Sequence, residues 1–364
     1  MGVMIGGAPI VELHCEPSTD AAVPGFVSAL IAPGRAMMLL QAAVRRPGAG
    51  DIQVIHSPPP VEMARRLAGG PDDSFGNAAF SFGGAILAPF ANRIRGRALP
   101  GSLIETEILG RPVNLPANWK GQGPDPEPCA MHGLILFSAA GELQIVQSGA
   151  RAMASAAMRA GDFGGHWPSS TDLSIRWTLT PQALALEVTA TNVGQDVLPM
   201  GIGWHPYFNL PSGQRSQALL SVPARRRLVV ADYDEVMPTG EISALAGSDH
   251  DFSQPRALGD LNLDDCFVDL QPSGKNEIVS QIVDPAAGYG LRVIASPSVK
   301  AVQVYAPRSE SFIALEPQFN WTNPFGAEWA GADTGMALLR PGEQARYAVR
   351  LEPFAPGTPV LVRR

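Results

Sequence analysis

Two short stretches each pair a group able to move a proton with a rigid backbone. In GIGWHPYFNL (201–210), His205 stands before Pro206 and among Trp204, Tyr207, Phe208 and Asn209. The stretch reads as a break in strand alternation. Pro206 fixes the backbone, and Tyr207 and Phe208 supply flat walls for a ligand. His205 is then either a satisfied core histidine or a proton donor. In FIALEPQFNW (312–321), an apolar strand ends on Glu316, followed by Pro317 and Gln318. A buried carboxylate is costly unless partnered, so Glu316 either reaches solvent at the strand end or is held inside for chemistry.

Four further segments set polar groups among apolar neighbours. FANRIRGR (90–97) brings Asn92, Arg93, Arg95 and Arg97. One reading is a solvated edge strand whose cations discourage pairing; the other is a guanidinium fork that donates to hydroxyls or a phosphate. Successive strand residues face opposite ways, so Asn92 and Arg93 serve one ligand only if a bulge or turn intervenes. AMHGLI (130–135) sets His132 before Gly133, where a core histidine is the simpler reading. LNLDDCFVDL (261–270) holds Asp264 and Asp265, either paired carboxylates or an Asp-capped turn. AVQVYA (301–306) carries Gln303, whose amide can bind hydroxyls or a loop backbone.

The elements that must position these groups are strands. LSIRWTL (173–179) and LALEVTATN (184–192) alternate apolar and polar residues, and TPQA between them makes a hairpin. Segments 143–147, 226–230, 277–283, 291–296, 301–306, 311–316 and 345–352 read as further strands. Only 59–69 looks helical. With 38 Gly and 34 Pro and no fixed period, the chain predicts many turns between short antiparallel strands, closed as a sandwich or barrel. GQGPDPEP (121–128) reads as a loop inserted in one domain spanning residues 1–364.

Composition narrows the function. The net charge is −7, with 24 Arg scattered against 3 Lys, which argues against nucleic-acid binding. Cys15, Cys129 and Cys266 form no CxxC or Cys/His cluster, and no HExxH spacing occurs, so no metal is expected. The N-terminus lacks a signal-peptide pattern, and no run of about 18 apolar residues occurs. A cytoplasmic protein with no membrane partner is the expectation.

Taken in order, ANRIRGR, MHG, NVGQDVLPMGIGWHPYFNL, LDDCF, VQVYA, ALEPQ and LLRPGEQARYAVRLE resemble the aldose 1-epimerase (galactose mutarotase) family, over roughly residues 80 to 355. The resemblance implies a large all-β antiparallel sandwich with an open cleft, no metal or organic cofactor, and a small-molecule sugar as substrate for a monomer or homodimer. It implies α/β anomer interconversion by ring opening, with Glu316 as base and His205 as acid. Asn92 and Arg93 resemble the family's sugar-binding pair, His132 its first active-site histidine, Asp264 the aspartate on sugar hydroxyls and Gln303 the glutamine of the glutamine-valine-tyrosine strand. The chain departs from the family at Ala88-Pro89 (for Gly-Arg), Leu134 (for Gly) and Trp204 (for Asn). These positions are expected to line or border the cleft and so to alter which sugar fits. Three rival readings follow. One is a hexose-6-phosphate 1-epimerase with Arg95 and Arg97 on the phosphate. Another is a non-catalytic sugar-binding protein, which has no need of an acid/base couple. The last is a glycosidase using Asp264 and Glu316 as its two carboxylates.

Overall fold

A computed structural model describes residues 2–18 and 23–357. It is about 49% strand and 7% helix. The foreseen hairpin forms as Thr171–Leu179 and Leu184–Asn192, with Ile175 opposite Val188. Its apolar series, Leu173, Ile175, Trp177 and Leu179, is buried, while Ser174 and Arg176 on the other face are not. The other foreseen strands also form, and Pro60–Arg66 is the one α-helix among the described residues.

Two large antiparallel sheets dominate. One has nine strands and is centred on Leu184–Asn192, Gln344–Phe354 and Tyr289–Ala295. The other has eleven strands. Its central neighbours are, in order, Leu263–Leu270, Ala301–Ala306, Phe312–Gln318, Gly203–Asn209 and Gly84–Leu87. A single apolar cluster draws on both sheets, and Trp177 of one meets Trp204 of the other edge-on at 5.6 Å between centroids.

The sequence gives little sign of the N-terminal strands Val11–His14, Gly25–Ala32 and Met38–Arg46, which extend the eleven-stranded sheet. GFVSALIA and MLLQAAVRR run nearly continuously apolar because both faces there are covered. The second cover comes from Met63 and Leu67 of the helical segment and from Phe82, which cluster with Met38 and Leu40. Burial on two sides erases the period-2 signal.

GWHPYFN does not break alternation. Trp204 and Phe208 face the core, while His205 and Tyr207 face the opposite side of the sheet, where the cleft lies. Phe208 is therefore core and not a cleft wall. The same holds for two positions where the chain departs from the family. Trp204 is fully buried, and the Ala88 carbonyl accepts a 2.7 Å hydrogen bond from the Leu134 amide behind the site. Neither Trp204, Ala88, Pro89 nor Leu134 lines the cleft, so they do not select a ligand by contact. LDDCF is strand, not turn: Asp264 faces the cleft, whereas Asp265 is fully buried in an ion pair with Arg227 and accepts from the Tyr233 hydroxyl at 2.6 Å.

Candidate active site

Strand register assembles the cleft floor. Gly203 pairs with Gln318 and Tyr207 with Ala314, which puts His205 across from Glu316. Glu316 in turn pairs with Gln303, and Gln303 with Cys266. The next row along the strands runs Tyr207, Ala314, Tyr305, Asp264. Residues more than a hundred positions apart thus share one face, because registered antiparallel partners point the same way.

Two loops bring the remaining groups over this floor. Asn92 takes φ 60° and His132 φ 61°, left-handed values that cost non-glycine residues of order 1–3 kcal/mol unless their surroundings hold them. The His132 amide donates to the Asn92 carbonyl at 2.8 Å, and Met131 pairs with Arg93 in a short strand ladder. The turn at Asn92 lets its fully buried amide reach both Arg93 and Gln303, behind the cleft wall that Arg93 itself lines. Gly133 follows at φ 84°, and a Cβ there would lie 2.3 Å from the Ala88 carbonyl oxygen, so only glycine fits.

The polar groups form a connected set. Arg93 Nη1 donates to Asn92 Oδ1 at 3.2 Å, and Asn92 Nδ2 to Gln303 Oε1 at 2.9 Å. Gln303 Nε2 donates to Asp264 Oδ1 at 2.6 Å, and Asp264 Oδ2 lies 3.8 Å from Arg93 Nη2. The ring closes on itself and fixes each rotamer. Trp119 stacks on the Arg93 guanidinium, 4.6 Å from ring centroid to carbon. Beside this ring, His205 Nε2 lies 3.3 Å from Glu316 Oε1, and Gln318 Nε2 donates to Glu316 Oε2 at 3.2 Å. His132 meets His205 edge-on at 4.8 Å and Phe80 at 4.7 Å. Among the described residues, His205 Nδ1, His132 Nδ1 and Arg93 Nε have no hydrogen-bond partner.

Burial sets the protonation. It lowers the His205 imidazolium to about 3 and lowers His132 well below the ordinary histidine value, with Arg93 adding to both. Burial, with the nearby Asp264 charge, raises the Glu316 carboxyl well above its usual range. Asp264 is also raised by burial, against the pull of Arg93 and the Gln303 hydrogen bond. Both shifts run in the direction that favours the overall neutral pair, one proton between His205 and Glu316, over either net-charged state.

Donor atoms of His132, His205 and Glu316 lie within 4.8 Å of one another, a spacing a divalent ion can bridge. The Arg93 cation, whose charge acts on all three, opposes such an ion. Activity is therefore expected to survive EDTA unchanged; loss on chelation with recovery on adding Zn²⁺ or Mn²⁺ would contradict this.

The structure thus brings Arg93, His132, His205, Asp264, Gln303 and Glu316 to the wall of one cleft, whereas Asn92 is fully buried behind it, bonded to Arg93 and Gln303 and out of a ligand's reach. It keeps Arg95 and Arg97 out: Arg95 pairs with Glu127 at 3.1 Å and Arg97 with Glu105 at 2.7 Å, on exposed strand ends. The sequence reading omits Gln318, Tyr305, Phe312, Trp119 and His56. Counting by two along the strands from Glu316 and Gln303 reaches the first three. Trp119 arrives from the two-residue strand Trp119–Lys120 and His56 from a loop, and no local pattern marks them.

A sandwich whose open face carries a buried histidine–carboxylate pair beside a ring of hydrogen-bonding side chains offers a site suited to a polar ligand. The Aldose 1-epimerase family model matches residues 55–352, and the chain belongs to that family. It is 28% identical to the uncharacterised protein YphB of Escherichia coli K12 over 182 residues, covering 48% of this chain and 57% of that one. It is 29% identical to a maltose epimerase of Levilactobacillus brevis over 126 residues, covering 31% of this chain and 36% of that one. These matches span about half and about a third of the relatives' lengths. The fold is shared with a galactose mutarotase-like protein from Clostridium acetobutylicum, with TM-score 0.70 and 17% identity over 91% of this chain and 93% of that one.

Proposed function

We propose that the chain is an aldose 1-epimerase that interconverts the α and β anomers of a neutral aldose, with Glu316 as base and His205 as acid. The observation that supports this best is the buried 3.3 Å contact between these two groups on a floor lined by Arg93, Asp264 and Gln303. Membership of the family and the partial likeness to a maltose epimerase favour the same reading.

The chemistry follows from the shared proton. With that proton on His205, the Glu316 carboxylate takes the proton of the anomeric hydroxyl. The O–H electron pair becomes the second bond of the aldehyde, the C1–ring-oxygen bond breaks, and His205 protonates the leaving ring oxygen. Rotation about C1–C2 and reclosure by the reverse steps give the other anomer. The pair carries one proton before and after. Arg93 and His132 bind oxygens on which charge develops, and Asp264, held by Gln303, orients hydroxyls. A non-catalytic binding site has no use for a base and an acid buried side by side.

The pH profile tests this. The first proton added to the pair goes to neutral His205, whose value is depressed to about 3, so the acid limb of kcat/KM should fall below 6.5. The last proton leaves the Glu316 carboxyl, which burial raises well above its usual range, so the alkaline limb should lie above the ordinary carboxylate range. An acid limb centred near 6.5 would show His205 titrating as an exposed histidine and contradict the shared-proton pair.

The charge of the cleft favours an uncharged sugar. Carboxylates of Asp234, Asp264, Glu310 and Glu316 line it, against one guanidinium, Arg93, already beside Asp264. Exposed ion pairs are worth little, so Arg95→Gln or Arg97→Gln should leave kcat/KM on a free hexose within about twofold. Polarimetry with fresh α-glucose and its 6-phosphate checks the preference. A value about tenfold higher on the phosphate, ~1.4 kcal/mol of transition-state binding, would reverse it.

A further inference from the structure

Asp264 and Asp265 are neighbours on one strand and point to opposite sides of it. Asp264 lines the cleft. Asp265 is fully buried behind it, in an ion pair with Arg227, and its Oδ2 accepts from the Tyr233 hydroxyl at 2.6 Å. His250 Nε2 stands 3.9 Å from that same oxygen. The ring-opening chemistry uses none of these groups. A buried carboxylate is costly unless partnered, and a donor to its charge makes one of the stronger hydrogen bonds. Tyr233 itself is exposed and lines the cleft together with Asp234 and Val236. Its side chain therefore joins the cleft rim to a buried anchor behind the strand.

The turn that carries Tyr233 needs an anchor. It links the strands Ala224–Val230 and Pro238–Ala244 at the edge of the eleven-stranded sheet. Val236 takes φ 54°, a left-handed value that a β-branched residue keeps only where its surroundings impose it. Asp232 Oδ1 caps the turn from within, accepting from the Asp234 and Glu235 amides at 3.0 and 2.8 Å. From outside, the Asp234 carbonyl accepts from the Gln122 amide at 3.2 Å, and Glu235 packs so closely on Gly121 that a Cβ there would overlap its carboxylate. Just before Gly121, Trp119 stacks on Arg93. The anchor thus reaches the cleft through Tyr233 and also through the segment that backs Arg93.

We infer that Asp265 is a positioning residue for the ligand site, holding Tyr233 and the 232–236 turn in place as one wall of the cleft. The inference rests on the epimerase reading above, which supplies its assay. His205 and Glu316 sit on other strands, Gly203–Asn209 and Phe312–Gln318. Loss of the anchor should therefore be felt in ligand binding and not in proton transfer.

The test takes whichever of glucose, galactose and maltose the wild type interconverts fastest, and measures kcat and KM for it in Tyr233→Phe, Asp265→Ala and the double variant. Tyr233→Phe keeps the ring and removes only the donor to Asp265. It should raise KM about tenfold and leave kcat within about twofold, the pattern of lost binding. Asp265→Ala should do the same, and adding Tyr233→Phe to it should change KM by less than about twofold, since both remove one bond. If Asp265→Ala does not fold, Tyr233→Phe at its exposed position carries the test alone. A Tyr233→Phe KM within about twofold of wild type, or a fall in kcat as large as the rise in KM, would overturn the positioning role and leave the epimerase reading standing. Fully additive losses would also overturn it, because the Tyr233 hydroxyl would then act on the ligand without Asp265. No acceleration of any of the three sugars by the wild type would overturn both.

Discussion

Glu316→Gln should lower kcat by about 10²–10⁴-fold, the range for loss of a general base, while KM stays within a few-fold. The amide keeps the size of the carboxylate, and its oxygen can still accept from Gln318. What disappears is the carboxylate proposed to take the anomeric proton. His205→Asn should fall by a similar factor, because ring oxygen leaves poorly without a proton. The two losses should not add, since base and acid act on one proton circuit; the double variant should be about as slow as the worse single one. Asp264→Asn should mainly raise KM, because its carboxylate orients the ligand and takes no proton. Stopped polarimetric assays over a range of sugar concentration separate these outcomes. A Glu316→Gln enzyme retaining more than about a tenth of kcat, a loss below even the low end for general base catalysis, would remove Glu316 from the role.

Trp204→Ala should destabilise the chain by about 3–5 kcal/mol, the usual cost of truncating a large buried aromatic. Trp204 is fully buried, meets Trp177 of the facing sheet at 5.6 Å and Phe208 at 6.2 Å, and donates from Nε1 to the Gly84 carbonyl at 3.1 Å. Its removal opens a void between the sheets directly behind His205 and leaves a buried carbonyl without its side-chain donor. Urea unfolding followed by tryptophan fluorescence reads the shift. A variant of wild-type stability whose sugar preference had changed would instead mean that the indole contacts the ligand.

The contrast between Trp204 and His205 shows what the sequence reveals and what it conceals. The strands with one exposed face, such as Thr171–Leu179, are legible because alternation follows directly from one-sided burial. Gly25–Ala32 and Met38–Arg46 are not, because the helical segment near residue 60 covers their second face. Each chemical group of the site lies in a recognisable short stretch. Their assembly depends on register between strands distant in sequence, as between Glu316 and His205, and no local pattern encodes that. The cleft side of each residue follows from parity once one group is placed: His205 inward to the cleft means Trp204 and Phe208 to the core. The left-handed turns at Asn92 and His132 are hidden for another reason. Only Gly133, whose missing Cβ makes room for the Ala88 carbonyl, leaves a mark in the sequence. Arg95 and Arg97 mislead by proximity to Arg93, since their partners Glu127 and Glu105 come from other strands and loops.

The central claim is that this cleft opens and recloses a sugar ring through Glu316 and His205. Exchange NMR on an aldose already at anomeric equilibrium tests it most directly, because nothing but interconversion is observed. With glucose and maltose as probes, catalytic amounts of the protein should produce exchange cross-peaks between the α and β anomeric protons that buffer alone does not give on the same timescale. Those cross-peaks should vanish with Glu316→Gln. Cross-peaks no stronger than in buffer for either sugar, or cross-peaks that persist undiminished in Glu316→Gln, would contradict the account.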